Sequence, residues 1–408
     1  MAPQRVAVLG AGMVGLSTAW FLQEHGVEVT VLDESGVAAG SSWGNAGWLT
    51  PSMAVPLPEP AVLRYGVRAL LDASSPVFVP PTLDPRLFRF LAQFARNCTT
   101  SRWEQAMRAL IPLNRDALTS FELLEAGGVT ERTRAAEPFT AAFREPGDAA
   151  GLLAEFEHIE ASGQHVSYEV VDGATARAEE PALSADTQLA IRVHGERFLD
   201  PSTYVHAIAQ SVRTRGGVVR DDVHVGEIQH RAQGVVVGDG SYDAVVLATG
   251  ARLNDLGRPH GVRRIVQAGR GYSFTVKIDS VPRGPVYFPQ QRVACTPVGD
   301  RLRVAGMMEF RRPDAPMDPR RIQALVDQAG QLLDGAHLDH REDEWVGARP
   351  CTPDGLPLIG ATRSPRVYVA GGHGMWGVTL GPVSGKLLAD LVATGSTPPQ
   401  LRPFSPTR

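Results

Sequence analysis

The sequence is poor in cysteine, has no long apolar run and carries no large excess of charge of either sign. Its three cysteines, Cys98, Cys295 and Cys351, are widely spaced and form no CxxC pair, which argues against a zinc site or a redox dithiol. No stretch reaches the ~18 consecutive apolar residues of a membrane span. A net charge of -4 gives no general electrostatic reason to bind nucleic acid.

The N-terminal apolar run is strand-like, contains glycines and lacks a small-residue cleavage site after a basic leader, so we expect no signal peptide. Together with the low cysteine content, this favours a cytoplasmic protein. A length of 408 residues, with 43% hydrophobic and 21% charged side chains, is typical of a globular chain with two or three domains.

The first 34 residues have the order of a dinucleotide-binding unit. A short apolar run is followed by the spacing G-x-G-x-x-G, at Gly10, Gly12 and Gly15. This spacing allows a tight turn, close approach of a pyrophosphate to the backbone, and a helix N-terminus that attracts phosphate. A second strand ends at Asp33, about twenty residues further on, where an acid is expected to bind a ribose hydroxyl; Glu34 is the alternative. The motif alone does not distinguish NAD, NADP and FAD.

Two later segments extend this prediction. Asp200 and Pro201 have the pattern of an N-cap and first turn, and the strand after that helix ends in "ATGA", where Gly250 allows close contact with a cofactor. Residues 366–391 predict a strand, a glycine-rich loop and a helix. This third element is expected in a flavin-binding protein, because a helix N-terminus stabilises the negative charge of a reduced flavin ring.

Two polar side chains near the C-terminus are candidates for chemistry. Arg349 lies in a proline-rich segment that would hold it stiffly, as suits bidentate binding of a carboxylate; the alternative is a structural ion pair. His373, in the glycine-rich loop, is either close to the reacting centre or a structural, hydrogen-bonded histidine. No acidic pair is evident around these residues, so the sequence gives no special support for a basic substrate.

Several motifs spread over the chain then carry a resemblance. The sequence contains, in order, "SSWGNAGWLTPS", "RNCTT", "FLDPSTY", "ATGA", "RGYSF", "RPCTPDGLPLIG" and "GGHGMWGVTLGP". In this it resembles the small subunit of the D-amino acid dehydrogenase family, within the wider group of D-amino acid, glycine and sarcosine oxidases. The resemblance implies FAD and an α/β, two-domain fold in which a Rossmann-like FAD-binding domain joins a substrate domain built on a mostly antiparallel sheet.

The implied domains are discontinuous along the chain. Residues 1–55, 196–260 and 340–408 would form the FAD-binding domain. Residues 56–195 and 261–339 would form the substrate domain, with a helical segment over 56–130. Within that segment, "PRLFRFLAQFARN" predicts an amphipathic helix with an arginine-rich border, which either packs on the core or rests on an anionic membrane surface.

The resemblance also implies the site residues. The ADP half of FAD would lie at the glycine motif and at Asp33 or Glu34, and the rest of FAD would contact Ser41, Ser42, Asn45, Ala46, Gly47, Gly250, Gly372, Gly374 and Gly377. The implied catalytic residues are Arg349, which binds the substrate carboxylate, Tyr272 and His373. Tyr287 and Arg270 are neighbours of Tyr272 for which a packing role is equally expected. Three tryptophans would narrow the pocket, namely Trp43, Trp48 and Trp376.

The implied reaction is oxidative deamination of a D-amino acid to the 2-oxo acid and ammonia, by hydride transfer from Cα to the flavin. Electrons would pass to a quinone-type acceptor, which would bring the protein to the inner face of the membrane. FAD would be non-covalent, because Cys351 does not match the position at which sarcosine oxidases attach flavin. The alternatives are an O2-using amine oxidase of the glycine, sarcosine or D-proline type, an NAD-dependent dehydrogenase, and a non-catalytic flavoprotein subunit.

Overall fold

The computed structural model describes residues 3–60 and 75–408. Its strands are β1 Arg5–Leu9, β2 Glu28–Leu32, β3 Trp48–Leu49, β4 Val77–Phe78, β5 Arg134–Ala135, β6 Phe139–Phe143, β7 Tyr168–Asp172, β8 Leu189–Val193, β9 Arg197–Phe198, β10 Val218–Arg220, β11 Ile228–Arg231, β12 Gly234–Val237, β13 Gly240–Tyr242, β14 Ala244–Leu247, β15 Gln267–Lys277, β16 Val286–Phe288, β17 Val293–Val298, β18 Arg301–Phe310, β19 Glu342–Cys351, β20 Leu358–Ala361 and β21 Val367–Gly371. Its α-helices are α1 Met13–Glu24, α2 Pro85–Asn97, α3 Thr100–Ala126, α4 Ala150–Ala161, α5 Gly173–Glu179, α6 Pro201–Thr214, α7 Leu253–Gly257, α8 Pro319–Leu332 and α9 Gly381–Thr394.

One sheet has the strand order β10-β2-β1-β14-β21-β20 and is parallel except at β20. Alternate residues of β1 enter different clusters: Val6 and Val8 pack with α1, α6 and α9, while Ala7 and Leu9 pack on the opposite face. A parallel strand covered on both faces is apolar throughout, which is why β1 reads as a continuous apolar run.

The predicted helix after Asp200 is confirmed. The Asp200 carboxylate accepts a hydrogen bond from the Ser202 N–H at 3.1 Å, and Pro201 occupies the first turn of α6. The predicted C-terminal strand and helix are β21 and α9, and α9 ends at Gly395 in the left-handed conformation. Both helices cover the parallel sheet and bring their N-terminal ends toward one edge of it.

Helices α1 and α9 cross closely because α9 has glycine at the contact. A Cβ at Gly385 would lie 2.6 Å from the Thr18 backbone nitrogen and 2.8 Å from the Ser17 carbonyl carbon. Backbone atoms cannot move aside as a flexible side chain can, so any larger residue would force the helices apart. The N-termini of α1 and α9 are thereby held side by side.

The second large sheet joins nine described strands in the order β19-β15-β18-β17-β16-β6-β8-β7, with β4 paired to β18. All its pairings are antiparallel except β16 with β6 and β18 with β4. The expected Rossmann-like domain and mostly antiparallel substrate sheet are therefore confirmed as the fold class.

The domain boundaries themselves stay a prediction. The parallel sheet takes its strands from all three segments assigned to the FAD-binding domain. However, β19 falls inside the assigned range 340–408 and yet is the edge strand of the antiparallel sheet, paired with β15. Arg349 therefore stands on the antiparallel sheet, because the chain crosses from one sheet to the other after Cys351.

Helix α2 packs on the core, as one of the two alternatives predicted. Leu87, Phe90 and Phe94 are buried, and the Phe90 and Phe94 rings contact Phe310. Part of the helical segment predicted over 56–130 lies outside the described residues, at 61–74. Among the helices that the structure describes, none combines the length and hydropathy of a membrane span.

We predict that Gly385→Ala lowers the thermal midpoint by at least about 2 °C, since the added methyl group overlaps backbone of α1. Gly151→Ala is the matched control, because the corresponding Cβ in α4 meets nothing within 4 Å and alanine favours helix. Circular dichroism melting at one scan rate checks both. An unchanged midpoint for Gly385→Ala would contradict the close helix crossing.

Candidate active site

Two cavities meet at Arg349. The small cavity, of about 70 Å³, lies at the edge of the parallel sheet. The large cavity, of about 230 Å³, lies over the antiparallel sheet. Asn45, Arg349 and Met375 line both cavities, so a ligand in one cavity is in reach of a ligand in the other.

The small cavity brings together many of the residues that the sequence predicts for cofactor binding, and two that it predicts for catalysis, Arg349 and His373. They are Gly12, Ser41, Ser42, Asn45, Gly250, Arg349, His373, Gly374 and Gly377. These residues are distant in sequence, but most follow the carboxyl ends of β1, β14 and β21, which are neighbours in the sheet. The carboxyl edge of a parallel sheet is where such folds bind their ligands.

The N-terminus of α1 opens into the small cavity. Its N-cap is Gly12, and the Ser42 hydroxyl accepts a hydrogen bond from the Met13 N–H at 3.2 Å. The first turn of α1 contains no acidic residue. A helix end with amide groups and a positive dipole directed at a cavity favours an anionic group such as a phosphate.

Gly10 and Gly15 shape the turn without lining either cavity. Gly10 has φ +112°, and a Cβ there would lie 2.4 Å from the Ala248 carbonyl oxygen. A Cβ at Gly15 would lie 1.9 Å from the Gly10 oxygen. These two glycines let β1, β14 and α1 pack closely, which in turn exposes the Gly12 backbone.

The two candidate acids at the end of β2 have different surroundings. One oxygen of Asp33 accepts the Ala11 N–H at 2.7 Å, and the other accepts the N–H groups of Ser35 and Gly36. Glu34 is exposed and pairs with Arg252 and His224. Neither acid lines the small or the large cavity, and Asp33 is the one that contacts the glycine turn.

The loop over residues 41–47 is fixed by the antiparallel sheet. Buried Arg303 donates to the Trp43 carbonyl at 2.9 Å, and the Ser273 hydroxyl donates to the Gly44 carbonyl at 2.8 Å. The Asn45 side chain accepts the Gly47 N–H. Because of these bonds, the loop presents its serines to the small cavity, while Ala46 lines the large one.

The Arg349 guanidinium is a cation that lies where the two cavities meet. Its Nη1 donates to the Met307 carbonyl at 2.7 Å, and within residues 3–60 and 75–408 it forms no ion pair. Burial lowers the pKa of its guanidinium, yet arginine stays charged at neutral pH. The structural ion pair that was its alternative role is therefore absent from the described chain, and free N–H donors face the cavities.

Two backbone features position this guanidinium. Met307 has φ +64°, beside an irregularity in the pairing of β15 with β18 between Arg270 and Tyr272. Such a bulge re-aims groups next to a site, and here the carbonyl accepts the Arg349 bond. A Cβ at Gly271 would lie 2.2 Å from Arg349 Nη2, so the glycine leaves the space that the guanidinium occupies. Sequence analysis missed both residues.

The structure does not bring Tyr272 to the site. Side chains alternate along a strand, so Gly271 faces Arg349 and Tyr272 enters the core on the other face of β15. Its hydroxyl donates to Glu309 at 2.7 Å, and burial raises its pKa to about 12. Arg270 is buried beside the same carboxylate at 3.3 Å. Tyr272 and Arg270 thus belong to a buried polar network, contrary to the catalytic role expected for Tyr272.

His373 lines the small cavity and is buried, with 3% of its surface exposed. Its Nε2 lies 2.9 Å from the Ser384 hydroxyl, while its Nδ1 has no hydrogen-bond partner among the described residues. Burial lowers the pKa of this imidazole to about 4. His373 is thus neutral at neutral pH and anchors the glycine-rich loop to α9. In that loop Gly374 lines the small cavity, whereas Gly372 does not.

Aromatic side chains line the large cavity. The Trp48 ring contacts Phe139 and Tyr287 edge to face, and the Trp376 indole donates to the Val55 carbonyl at 2.7 Å. Trp43 lies outside both cavities, with the Arg303 guanidinium 5.4 Å from its ring. Two of the three tryptophans therefore narrow the large cavity.

The large cavity also contains an acidic pair, which corrects the sequence expectation. Glu59 and Glu155 both line it, together with Arg292. The two glutamates are about a hundred positions apart in sequence, and no local pattern in the sequence links them. Only the packing of α4 against the segment before the undescribed residues 61–74 brings them together.

A third depression and the three cysteines have no role in the site described above. A wider depression of about 620 Å³ shares no lining residue with either cavity, and at its wall Arg264 and Arg408 pair with Asp354. Cys98, Cys295 and Cys351 are buried and free, and burial raises the pKa of the Cys351 thiol to about 12. The described residues contain no cluster of side chains suited to a metal ion.

A family model described as FAD dependent oxidoreductase matches residues 5–391. The chain belongs to this family. Curated relatives include D-amino acid dehydrogenase 1 of Mesorhizobium japonicum, 32% identical over 406 residues and 95% of this chain and 96% of the relative. D-amino acid dehydrogenase of Rhizorhabdus wittichii is 31% identical over 408 residues, with the same coverage. The expected family resemblance is confirmed.

Solved structures with the same fold span almost the whole chain. Glycine oxidase from Bacillus cereus has a TM-score of 0.73 at 20% identity and covers 99% of each chain. L-proline dehydrogenase from P. horikoshii has a TM-score of 0.69 at 16% identity and covers 100% of this chain and 98% of that one. These likenesses show the fold alone.

As a member of this family, the chain is an FAD-dependent oxidoreductase, and FAD rather than NAD is the cofactor. The small cavity fits such a group. It combines the N-terminus of α1, which has no acidic residue in its first turn, a buried His373 nitrogen without a partner among the described residues, and two glycines, Gly250 and Gly374, at which a Cβ would meet nothing within 4 Å. Amide donors suit phosphates, and glycine backbone suits a flat ring system.

We predict that Gly12→Val lowers the flavin content of the purified protein severely, because the side chain would occupy the space in front of the α1 N-terminus. Gly40→Ala is the control, since its Cβ would meet nothing within 4 Å and it lines neither cavity. The ratio of absorbance at the flavin and protein bands, with a circular dichroism spectrum, measures both. Normal flavin content in Gly12→Val would remove Gly12 from the cofactor site.

Proposed function

We propose that this protein oxidises a D-amino acid to the imino acid, which water hydrolyses to the 2-oxo acid and ammonia. The observation that carries the proposal is Arg349, a buried guanidinium without an ion pair in the described chain, at the junction of the two cavities. The names of the relatives at 31–32% identity support the choice of a D-amino acid.

Arg349 has the chemistry to hold the substrate carboxylate. A guanidinium binds a carboxylate by two parallel hydrogen bonds, and the Met307 carbonyl holds Nη1 in place before substrate arrives. An unpaired buried cation is costly, so a carboxylate that enters the cavity is bound strongly. A carboxylate fixed at the junction of the cavities orients Cα toward the small cavity. This alignment of the reacting groups lowers the barrier to the reaction.

Bound FAD supplies the electron-accepting chemistry for the Cα–H bond. The residues that would hold it are Gly12, Ser41, Ser42, Asn45, Gly250, Gly374 and Gly377, with Asp33 as the acid next to the turn. His373 acts as a positioning residue, because its ring is bonded to Ser384 and is neutral at neutral pH. The substrate amine must lose its ammonium proton, for which water in the open large cavity suffices.

The proposal is tested by anaerobic titration of the flavin absorbance with D- and L-amino acids, glycine, sarcosine and prolines, followed by admission of air. D-Amino acids are expected to bleach the flavin, with slow recovery in air and rapid turnover with a quinone. Rapid recovery in air would identify an O2-using oxidase. Bleaching by none of the D-amino acids would refute the proposed substrate class.

In the same assay, Arg349→Met is expected to lower kcat/KM by about a hundredfold or more, because the carboxylate loses its charged partner and its alignment. The flavin content is expected to stay near that of the native protein. Arg213→Met, which removes an exposed arginine of α6, is the control. Near-native kinetics of Arg349→Met would exclude it from the carboxylate site.

We further propose that the quinone-type acceptor is reached at a membrane surface, which α2 contacts. Supporting this, Leu83 is 92% exposed, and Phe88, 54% exposed, stands on a face of α2 that Arg89 and Arg96 border on one side. Helix α2 contains no acidic residue. Exposed apolar side chains bordered by arginine suit the interface of an anionic bilayer.

We predict that Arg89→Gln and Arg96→Gln each weaken co-sedimentation with anionic vesicles by about fivefold, since each arginine near such a surface contributes ~1 kcal/mol. Phe88→Ser is expected to weaken it as well. Val170→Ser, which removes an exposed apolar side chain of β7, serves as the control. Equal sedimentation of all variants, or none by the native protein, would contradict the membrane contact.

A further inference from the structure

Two half-buried carboxylates in the large cavity are not used by the function proposed above. Glu155 stands on the inner face of α4, next to Leu152, Phe156 and Ile159, which are buried in an apolar cluster. Glu59 reaches the same cavity from the segment after β3. Acidic side chains are rarely buried unless they are paired, so their presence on an apolar wall requires a reason.

Neither carboxylate forms a hydrogen bond or an ion pair within the described residues. Two other acids, Glu309 and Glu196, are buried and each has at least one partner in the fold. Glu309 accepts from Tyr272 and pairs with Arg270 and Arg311, and Glu196 accepts from Ser52. Among the described residues, the fold thus gives partners to these two acids and none to Glu59 and Glu155, which line the large cavity.

The electrostatics of the pair favour a visiting cation. Burial and, to a smaller extent, the charge of Glu59 raise the pKa of Glu155 to about 8, although the positive charge of Arg292 acts in the opposite direction. Burial likewise raises the pKa of Glu59. Among the described residues, the two carboxylates face one guanidinium, that of Arg292, so one of their negative charges is uncompensated when both are ionised. A single positive group in the cavity would balance the set.

We propose that Glu59 and Glu155 recognise the ammonium or guanidinium side chain of a basic D-amino acid whose α-carboxylate is bound by Arg349. This inference rests on the proposed function and names its substrate class. Between the charged groups, the cavity is lined by Trp48, Phe139, Met308 and Trp376, which suit the aliphatic stem of such a side chain. An acidic side chain would be repelled by the pair.

The test compares substrates that differ only in side-chain charge. D-Arginine is expected to exceed D-citrulline, its uncharged analogue of equal length, by about tenfold or more in kcat/KM, since a hydrogen bond to a charged group contributes that much. D-Lysine is expected to exceed D-norleucine similarly. Glu155→Gln and Glu59→Gln are each expected to reduce the D-arginine to D-citrulline ratio severalfold, chiefly through KM for D-arginine.

Glu157→Gln is the matched control, because Glu157 is an exposed acid two positions further along α4; its ratio should equal that of the native enzyme. A second readout is the thermal midpoint without substrate. Removal of an unpaired buried carboxylate is expected to leave the midpoint unchanged or to raise it, whereas loss of a structural acid would lower it.

The outcomes separate the two proposals. If D-alanine or D-norleucine is oxidised and D-citrulline serves as well as D-arginine, the side-chain inference is overturned and the proposed function stands. If no D-amino acid is oxidised, both fail. A ratio that both glutamine variants leave unchanged would also overturn the inference, as would a lowered midpoint without a change in the ratio.

Discussion

The hydrogen bond from the Arg349 guanidinium to the Met307 carbonyl is the contact on which the site depends. It holds a buried cation at the junction of two cavities without neutralising it. A carboxylate partner in the fold would compete with any ligand, whereas a carbonyl leaves the full charge available. The irregular pairing of β15 with β18 turns this carbonyl, and Gly271 leaves room for the guanidinium. The antiparallel sheet thus orients the Arg349 guanidinium without neutralising its charge.

The parallel sheet makes the other half of the site by close packing. Glycines at the β1 turn and along α9 let backbone segments approach within distances that no side chain would allow. The N-termini of α1 and α9 are consequently directed toward one edge. Arg303 and Ser273 extend from the antiparallel sheet to the 41–47 loop, which fixes the two sheets relative to this edge. The 41–47 loop is therefore positioned at the closely packed edge of the parallel sheet by hydrogen bonds from the antiparallel sheet.

Local patterns predicted much of this arrangement, because their causes are local. The Asp200 cap, the glycine turn and the strand–loop–helix at the C-terminus each depend on neighbours in sequence. Arg349 was recognised from its proline-rich surroundings and from the family resemblance. Tyr272 was misplaced because the side to which a strand residue points depends on register with β18 and β19, which the sequence does not show. The Glu59–Glu155 pair escaped notice for a related reason, since it arises only from tertiary packing.

Three charged side chains in the two cavities differ from most other buried charges of the described chain in having no ion-pair partner. Most buried charges in this chain, such as Arg270 and Glu309, are paired within the fold and need no ligand. Arg349, Glu59 and Glu155 form no ion pair in the described chain, and each unpaired buried charge reduces stability. Natural proteins retain such destabilising charges mainly where activity requires them. Arg349, Arg292 and the two carboxylates line one cavity, and this set of charges complements the proposed ligand, a zwitterion with an additional positive group.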